Sequence, residues 1–194
     1  MSDIKEVKIG NQIWMAENLA VKTFRNGDPV EQLQEQKDWD KNNKNTKPAY
    51  CEPEKLKHEK SGLIYNGFAL ADERGLAPEG WRLPNHKDIN ELKAYMSDNG
   101  FDSVSALLSS DVEWKGLDEN VKPNDLGLTL LPVESRMHIG FFGGIDKITL
   151  GVSPQIEPFK AYYKLLLYPT YAIAKLSVST MDGGEGVSVR CIKV

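Results

Sequence analysis

Apolar positions in this chain come mostly in short, strand-like bursts, broken by one helical stripe. Ile89, Leu92, Ala94, Tyr95 and Met96 recur at three- and four-residue spacing, the period of a helix that buries one face. Asn85 stands where an N-cap is needed, and Asp88 sets a carboxylate near the positive end of the helix dipole. The spacing predicts a helix over 85–96. Ahead of it, Pro78-Glu79-Gly80 is a turn signal. Trp81, Leu83 and Pro84 then read as extended, because a proline pushes the preceding residue away from helical angles. An indole between a rigid turn and a capped helix reads as an anchor, buried against that helix and the closing strand; ligand stacking is the alternative role.

The remaining bursts follow in order. Val7, Ile9 and Ile13-Trp14-Met15 flank Gly10-Asn11, a hairpin pattern. Residues 20–30 predict a strand and turn, with the cluster Arg25-Asn26-Gly27-Asp28-Pro29 at its end. Residues 31–40 are helix-compatible and end near Trp39, whereas KNNKNTK (41–47) reads as a mobile polar loop. Residues 48–60 are irregular and hold Cys51 and His58. Leu63, Ile64, Tyr65, Phe68 and Leu70 pack in the 61–72 segment, with Tyr65 and Phe68 as core aromatics. A second short helix is expected at 101–110, then a polar connection carrying Trp114 at 111–122. Residues 124–144 read as strand, bend, strand, and IDKITLGVSPQ (145–155) as a further strand. Tyrosines 162, 163, 168 and 171 stand among leucines in 161–171, and 172–180 alternates as a strand. A turn at 181–184 leads into the closing strand, where Val187, Val189 and Cys191 share one face and Ser188, Arg190 and Ile192 the other. No internal repeat is visible.

Composition sets bounds on this picture. The 194 residues are 40% hydrophobic and 27% charged, an ordinary globular balance with room for one sizeable core. A net charge of −4 gives no electrostatic case for nucleic acid or an anionic membrane. No apolar run nears the roughly 20 residues that span a bilayer. The opening MSDIKEVKIGNQIW lacks the basic start and apolar stretch of a secretory signal. That leaves three routes open: a trimmed start at Met1, export by another path, or retention in the cell.

Candidate chemistry is sparse. Nucleophilic catalysis needs Ser or Cys beside a His that a carboxylate orients, yet His58, His86 and His138 sit in unrelated contexts. No nucleophile elbow, zinc-protease helix, phosphate loop, dinucleotide fingerprint or calcium-hand loop is present. Cys51 and Cys191 permit one disulfide at most and form no CxxC pattern. No cofactor or metal is expected, and the chain is expected to be non-catalytic.

Four ordered stretches carry a family resemblance: KIGNQIWMAENL (8–19), SGLIYNGFAL (61–70), PEGWRLPN (78–85) with its helix, and GVSVRCIKV (186–194). Together they resemble the Fibrobacter succinogenes major paralogous domain family, found widely in Bacteroidetes-type bacteria, and they cover nearly the whole chain as one domain, 1–194. The resemblance implies an α+β, C-type-lectin-like fold akin to formylglycine-generating enzymes, with short antiparallel strands, two helices and long irregular loops. It assigns Trp14, Tyr65, Trp81, Arg190 and Cys191 to the frame. Residues 124–136 are similar to the family's N-x-x-G-F-x-x-x-P-x-G-x-R segment, with Leu128 in place of Phe and Glu134-Ser135 before Arg136. The family's usual cysteine before the Trp81 turn is Ala77 here, so whether Cys51 pairs with Cys191 is open. The family's Trp-Ser-Ser-Thr element is missing. Glu157-Pro158-Phe159 only faintly echoes the calcium-lectin Glu-Pro-Asn loop, and hard-cation binding needs about six or more oxygens.

By resemblance the protein is extracellular or on the cell surface and recognises a glycan or protein ligand. Contacts are expected in the loops 111–122 and 144–171, where Trp114, Tyr162, Tyr163, Tyr168 and Tyr171 are candidates for binding or for core packing. The alternatives are a subunit of a larger assembly, such as a phage-tail or injection particle, and an enzyme of the formylglycine-generating kind. The last requires a reactive cysteine pair, for which Cys51 and Cys191 are the sole candidates.

Overall fold

Two β-sheets meet along the last residues of the chain. The architecture comes from a computed structural model that describes residues 4–155, 161–172 and 175–194. The Glu157-Pro158-Phe159 stretch lies outside them. The smaller sheet holds β1 (Glu6–Ile9), β2 (Gln12–Met15), β6 (Trp81–Arg82) and β13 (Ile192–Lys193), in the order β1-β2-β13-β6. The larger runs β11 (Ser177–Met181), β10 (Ala161–Leu167), β9 (Ile148–Gln155), β12 (Gly186–Ser188), β5 (Ile64–Asn66), β4 (Ala49–Cys51) and β3 (Glu31–Gln32). A side hairpin, β7 (Ser135–Met137) and β8 (Gly140–Phe142), joins it through β12. The helices are α1 (Gln36–Lys44), the one-turn α2 (Gly67–Leu70) and α3 (His86–Asp98). The chain is therefore α+β, with more strand than helix.

Local rules account for the well-formed elements. The β1–β2 hairpin turns at Gly10, whose φ of +59° suits glycine, and a Cβ there would stand 2.7 Å from the Tyr95 ring. In α3, the Asn85 side chain accepts from the Lys87 and Asp88 amides while the Asp88 carboxylate accepts from the Asn85 amide, a complete capping box. Ile89, Leu92 and Met96 face a core shared with Trp14, Ile192, Leu107 and the inner residues of β9 and β10. A second core gathers Tyr65, Leu70, Trp81, Val187, Val189 and Cys191. A third, smaller one holds Trp39, Ala49, Cys51, Ile64 and Val133.

Several expectations are corrected. Trp81 is buried beside the closing strand, paired with Lys193, but belongs to the second core rather than the α3 core. Alternation explains this: Ile192 pairs with both Trp14 and Arg82, which puts those three on the helix side and turns Trp81 to the other. The indole on the α3 core is Trp14, which donates to Gln12, whose amide in turn donates to the Asp88 carbonyl. The expected loop at 41–47 is helical through Lys44, because Trp39 and Asn42 bury a narrow stripe of α1 and Asn42 donates to the Lys47 carbonyl. The helix expected at 101–110 is a single 3-10 turn, Val104–Leu107. The strand expected at 145–155 is β9, and with β10 it takes up much of the 144–171 stretch also expected to serve as a contact loop, burying Ile148, Leu150, Val152, Leu165 and Leu167.

Arg190 ties the layers together. It is fully buried and donates to Asn18 Oδ1 (3.0 Å), the Met15 carbonyl (3.1 Å) and the Leu128 carbonyl (3.2 Å). Burial pulls its pKa down to about 9, with Glu17 pulling back, so it stays a cation at neutral pH.

Candidate functional site

At one end of the large sheet three distant segments meet: the turn at 114–117, the 141–147 stretch leaving β8, and the turn after β10. The Lys115 amide donates to the Ile145 carbonyl, 3.2 Å, which holds the first against the second. Between them lies a cleft of about 650 Å³, lined by Lys115, residues 141–147 and Tyr168. Phe141 and Phe142 are neighbours in a strand, so their side chains leave by opposite faces. Phe141 covers the Arg136 guanidinium at 4.2 Å, while Phe142 is 51% exposed. Lys147 Nζ lies 4.9 Å from the centre of the Phe142 ring. The Tyr168 and Tyr171 rings are 4.5 Å apart, tilted by 32°, with Lys175 Nζ 5.2 Å over Tyr171. Ile145 and Tyr171 are also exposed. The surface thus combines aromatic faces with Lys115, Lys147 and Asp146.

The five aromatic candidates separate. Trp114 is core: it is buried and its indole N–H donates to the Ser109 carbonyl, 2.8 Å. Tyr162 is half-buried and meets Phe68 edge-on, 5.6 Å between centres. Tyr163, also half-buried, meets His86 edge-on at 4.8 Å. Tyr168 lines the cleft, and Tyr171 stands against it. Lys115, Ile145 and Lys147 fall within the stretches 111–122 and 144–171 where contacts are expected, though only aromatic residues there are named as candidates, and Phe142 lies outside both stretches. The signal for Phe142 is the FFGG run, where two adjacent bulky residues in a strand cannot both face one core.

The frame residues Trp14, Tyr65, Trp81, Arg190 and Cys191 are all buried. The Tyr65 hydroxyl donates to the Val21 carbonyl, 2.7 Å. Cys51 and Cys191 are free thiols in different cores. Burial pushes both up to about 12, against the pull of Arg136 on Cys51 and of Arg190 on Cys191. Among the described residues no cluster of three or more His, Cys, Asp or Glu could hold a metal ion, and no helix is long and apolar enough to cross a membrane. A further hollow of about 430 Å³ beside the β1–β2 hairpin carries an exposed Lys5–Glu17 pair and no aromatic side chain.

In comparisons with known proteins, the sequence model described as the Fibrobacter succinogenes major domain matches residues 7–193. No curated protein and no solved structure matches the chain.

Proposed function

The chain belongs to the Fibrobacter succinogenes major domain family, and from that premise we propose that it is a non-catalytic recognition module of C-type-lectin-like type, carried on a bacterial surface or secreted, that binds a glycan at the aromatic cleft. The observation that carries the reading is the exposed Phe142 beside the Tyr168–Tyr171 pair, framed by Lys115, Asp146 and Lys147. The face of an aromatic ring is electron-rich, and the C–H face of a pyranose, slightly positive, stacks on it. Lysine and aspartate then donate to and accept from the ring hydroxyls. Fixed aromatic faces with a few polar groups are the usual make-up of a small-ligand site.

A second reading, a subunit of a larger assembly, draws on Ile139, which is 67% exposed at the tip of the β7–β8 hairpin, and on the nearby Ile145. Branched aliphatic side chains suit a protein partner better than a sugar. A glycan array followed by titration of the positive sugars separates the two. Phe142→Ala and Tyr168→Ala should weaken binding about tenfold or more with the melting temperature held, whereas Tyr162→Ala and Tyr163→Ala should lower the melting temperature, since an aromatic contact contributes roughly 0.5–1.5 kcal/mol beyond its buried area. An empty array together with concentration-dependent self-association would overturn the glycan reading in favour of assembly.

A further inference from the structure

Behind the aromatic cleft, on the other side of Phe141, a hollow of about 370 Å³ lies between the start of α1, Arg136 and the tip of the β7–β8 hairpin. Arg136 lines it yet is only 1% exposed. Its Nη2 donates to the Gln34 carbonyl, 2.9 Å, and its plane lies under Phe141 and 5.4 Å from the Trp39 ring centre. Its Nε and Nη1 find no oxygen or nitrogen acceptor among the described residues. The nearby acid just before the strand, Glu134, spends its two oxygens on the Glu54 and Lys55 amides, at 3.0 and 2.7 Å. Arg136 does reach the neighbouring Cys51 thiol, by charge and by a side-chain hydrogen bond, but burial keeps that thiol protonated, and a protonated thiol is a weak acceptor. A buried guanidinium with unmatched N–H groups costs free energy unless something accepts from it.

The same hollow holds an unmatched group of the opposite sense. Gln36 commits its amide nitrogen to Asp40 and to the Met137 carbonyl, at 2.8 and 3.1 Å, which fixes the amide orientation and leaves Oε1 buried without a donor. Gly140, whose φ of +104° suits glycine, lies beside it and adds no side chain to the hollow. Glu35 and Glu54 add carboxylates to the lining. A carboxylate or phosphate ligand would meet those acids, and an ammonium would meet Arg136. What fits is an uncharged group that accepts from Arg136 and donates to Gln36 and the rim acids. A hydroxyl does both with one atom, and adjacent hydroxyls on a ring do so in two places.

We propose that the Arg136–Gln36 hollow is a second subsite, taking the vicinal hydroxyls of a neutral sugar residue whose neighbour lies on Phe142 and Tyr168. Phe141 is common to both hollows, so one oligosaccharide passes over the hairpin from the first to the second. This rests on the glycan reading and names its substrate class, an uncharged oligosaccharide.

The test is an NMR titration of the full ¹⁵N-labelled chain with maltotriose, cellotriose, mannotriose, trigalacturonate and N-acetylglycinamide, following the Arg136 Nε–H and Trp39 indole signals together with the backbone of 142–147 and 168. At least one neutral trisaccharide should shift both sets. Arg136→Met should abolish the shift at Trp39, and Gln36→Leu should weaken that sugar about tenfold or more, as expected for leaving buried partners unmatched. Gln36→Leu keeps the test valid if Arg136→Met fails to fold. Shifts from trigalacturonate alone, or equal shifts from N-acetylglycinamide, would overturn the neutral-sugar assignment. A sugar that moves 142–147 and leaves Arg136 unmoved would refute the subsite while the cleft reading stands. No shift at either place with any sugar would refute both.

Discussion

Replacing Arg190 with methionine isolates what holds residues 124–130 and the N-terminal hairpin to the end of the chain. The substitution keeps much of the buried volume and removes the charge, so two effects oppose. Four hydrogen bonds are lost: three charge-assisted ones to Asn18, Met15 and Leu128, at about 1.5–3 kcal/mol each, and a long one of 3.5 Å to the Thr129 carbonyl. Against that, a cation no longer has to be desolvated, which returns several kcal/mol. The carbonyls of Met15 and Leu128 stay in the interior without this donor, and that tips the balance toward a net loss of about 2–4 kcal/mol. Urea unfolding read by the buried tryptophans measures it. With a slope of roughly 2–3 kcal/mol per molar, the midpoint should fall by about 1 M. Hydrogen exchange gives a local check, since the Leu130 amide, bonded to the Leu107 carbonyl, should lose protection ahead of α3. A midpoint unchanged or raised in Arg190→Met would refute the reasoning, showing that the desolvation cost of the cation outweighs its bonds.

Trp81→Ala should lower stability by about 3–5 kcal/mol, the range for a large aromatic removed from a core, measured by calorimetry; a shift under 1 kcal/mol would show that the second core does not depend on it. For Asp88, burial would raise the carboxyl, but the Arg82 guanidinium, the Asn85 amide and the charges of Arg82 and Lys87 outweigh it and hold the group below its usual value. A depressed carboxyl adds stability above the unfolded-state value near 4 and loses it as pH falls through the folded-state value. Asp88→Asn should therefore cost stability at pH 7 and flatten the acid limb of a stability–pH profile below about pH 4; an unchanged limb contradicts the pairing. With both thiols held near 12, roughly one in ten thousand is ionised at pH 8, so Ellman's reagent should label neither Cys51 nor Cys191 in the native chain and both in denaturant. Gly183→Ala would set a Cβ 2.6 Å from the Phe68 ring and 2.7 Å from Tyr162 and should lower the melting temperature, at a cost of about 1–3 kcal/mol; a neutral result would mean the Phe68 and Tyr162 rings yield freely.

What was legible in the sequence was local. Gly10-Asn11 announced the hairpin, and Asn85 with Asp88 announced the start of α3 to within a residue. The closing alternation placed Val187, Val189 and Cys191 in one core and Ile192 in the other. Illegible were features set by long-range partners. Trp81 and Trp14 traded roles because their side depends on how β6 and β2 register against Ile192, which no local window contains. α1 hid because only Trp39 and Asn42 are buried in it, too narrow a stripe beside so many polar neighbours. The cleft draws on Lys115, the 141–147 stretch and Tyr168, and only β9 and β10 bring the last two together. Tyr168 and Tyr171 could be named as candidates, but their separation from Tyr162 and Tyr163 required the strand end at Leu167.

The position of residues 186–193 bears on how the molecule is made. β12 sits inside the large sheet, between β9 and β5, and β13 inside the small one, between β2 and β6. The first hairpin leans on the same few residues, through Met15 to Cys191 and Leu19 to Val189. A nascent chain emerging from the ribosome therefore holds two incomplete sheets until this segment has followed the others out, and the strands awaiting it present bare edges of the kind other chains can pair with. Sequence-distant pairings of this sort also slow the folding step itself. Synthesis of this protein thus has a vulnerable interval that closes only when residues 186–193 have emerged and this one short stretch slots into both sheets at once.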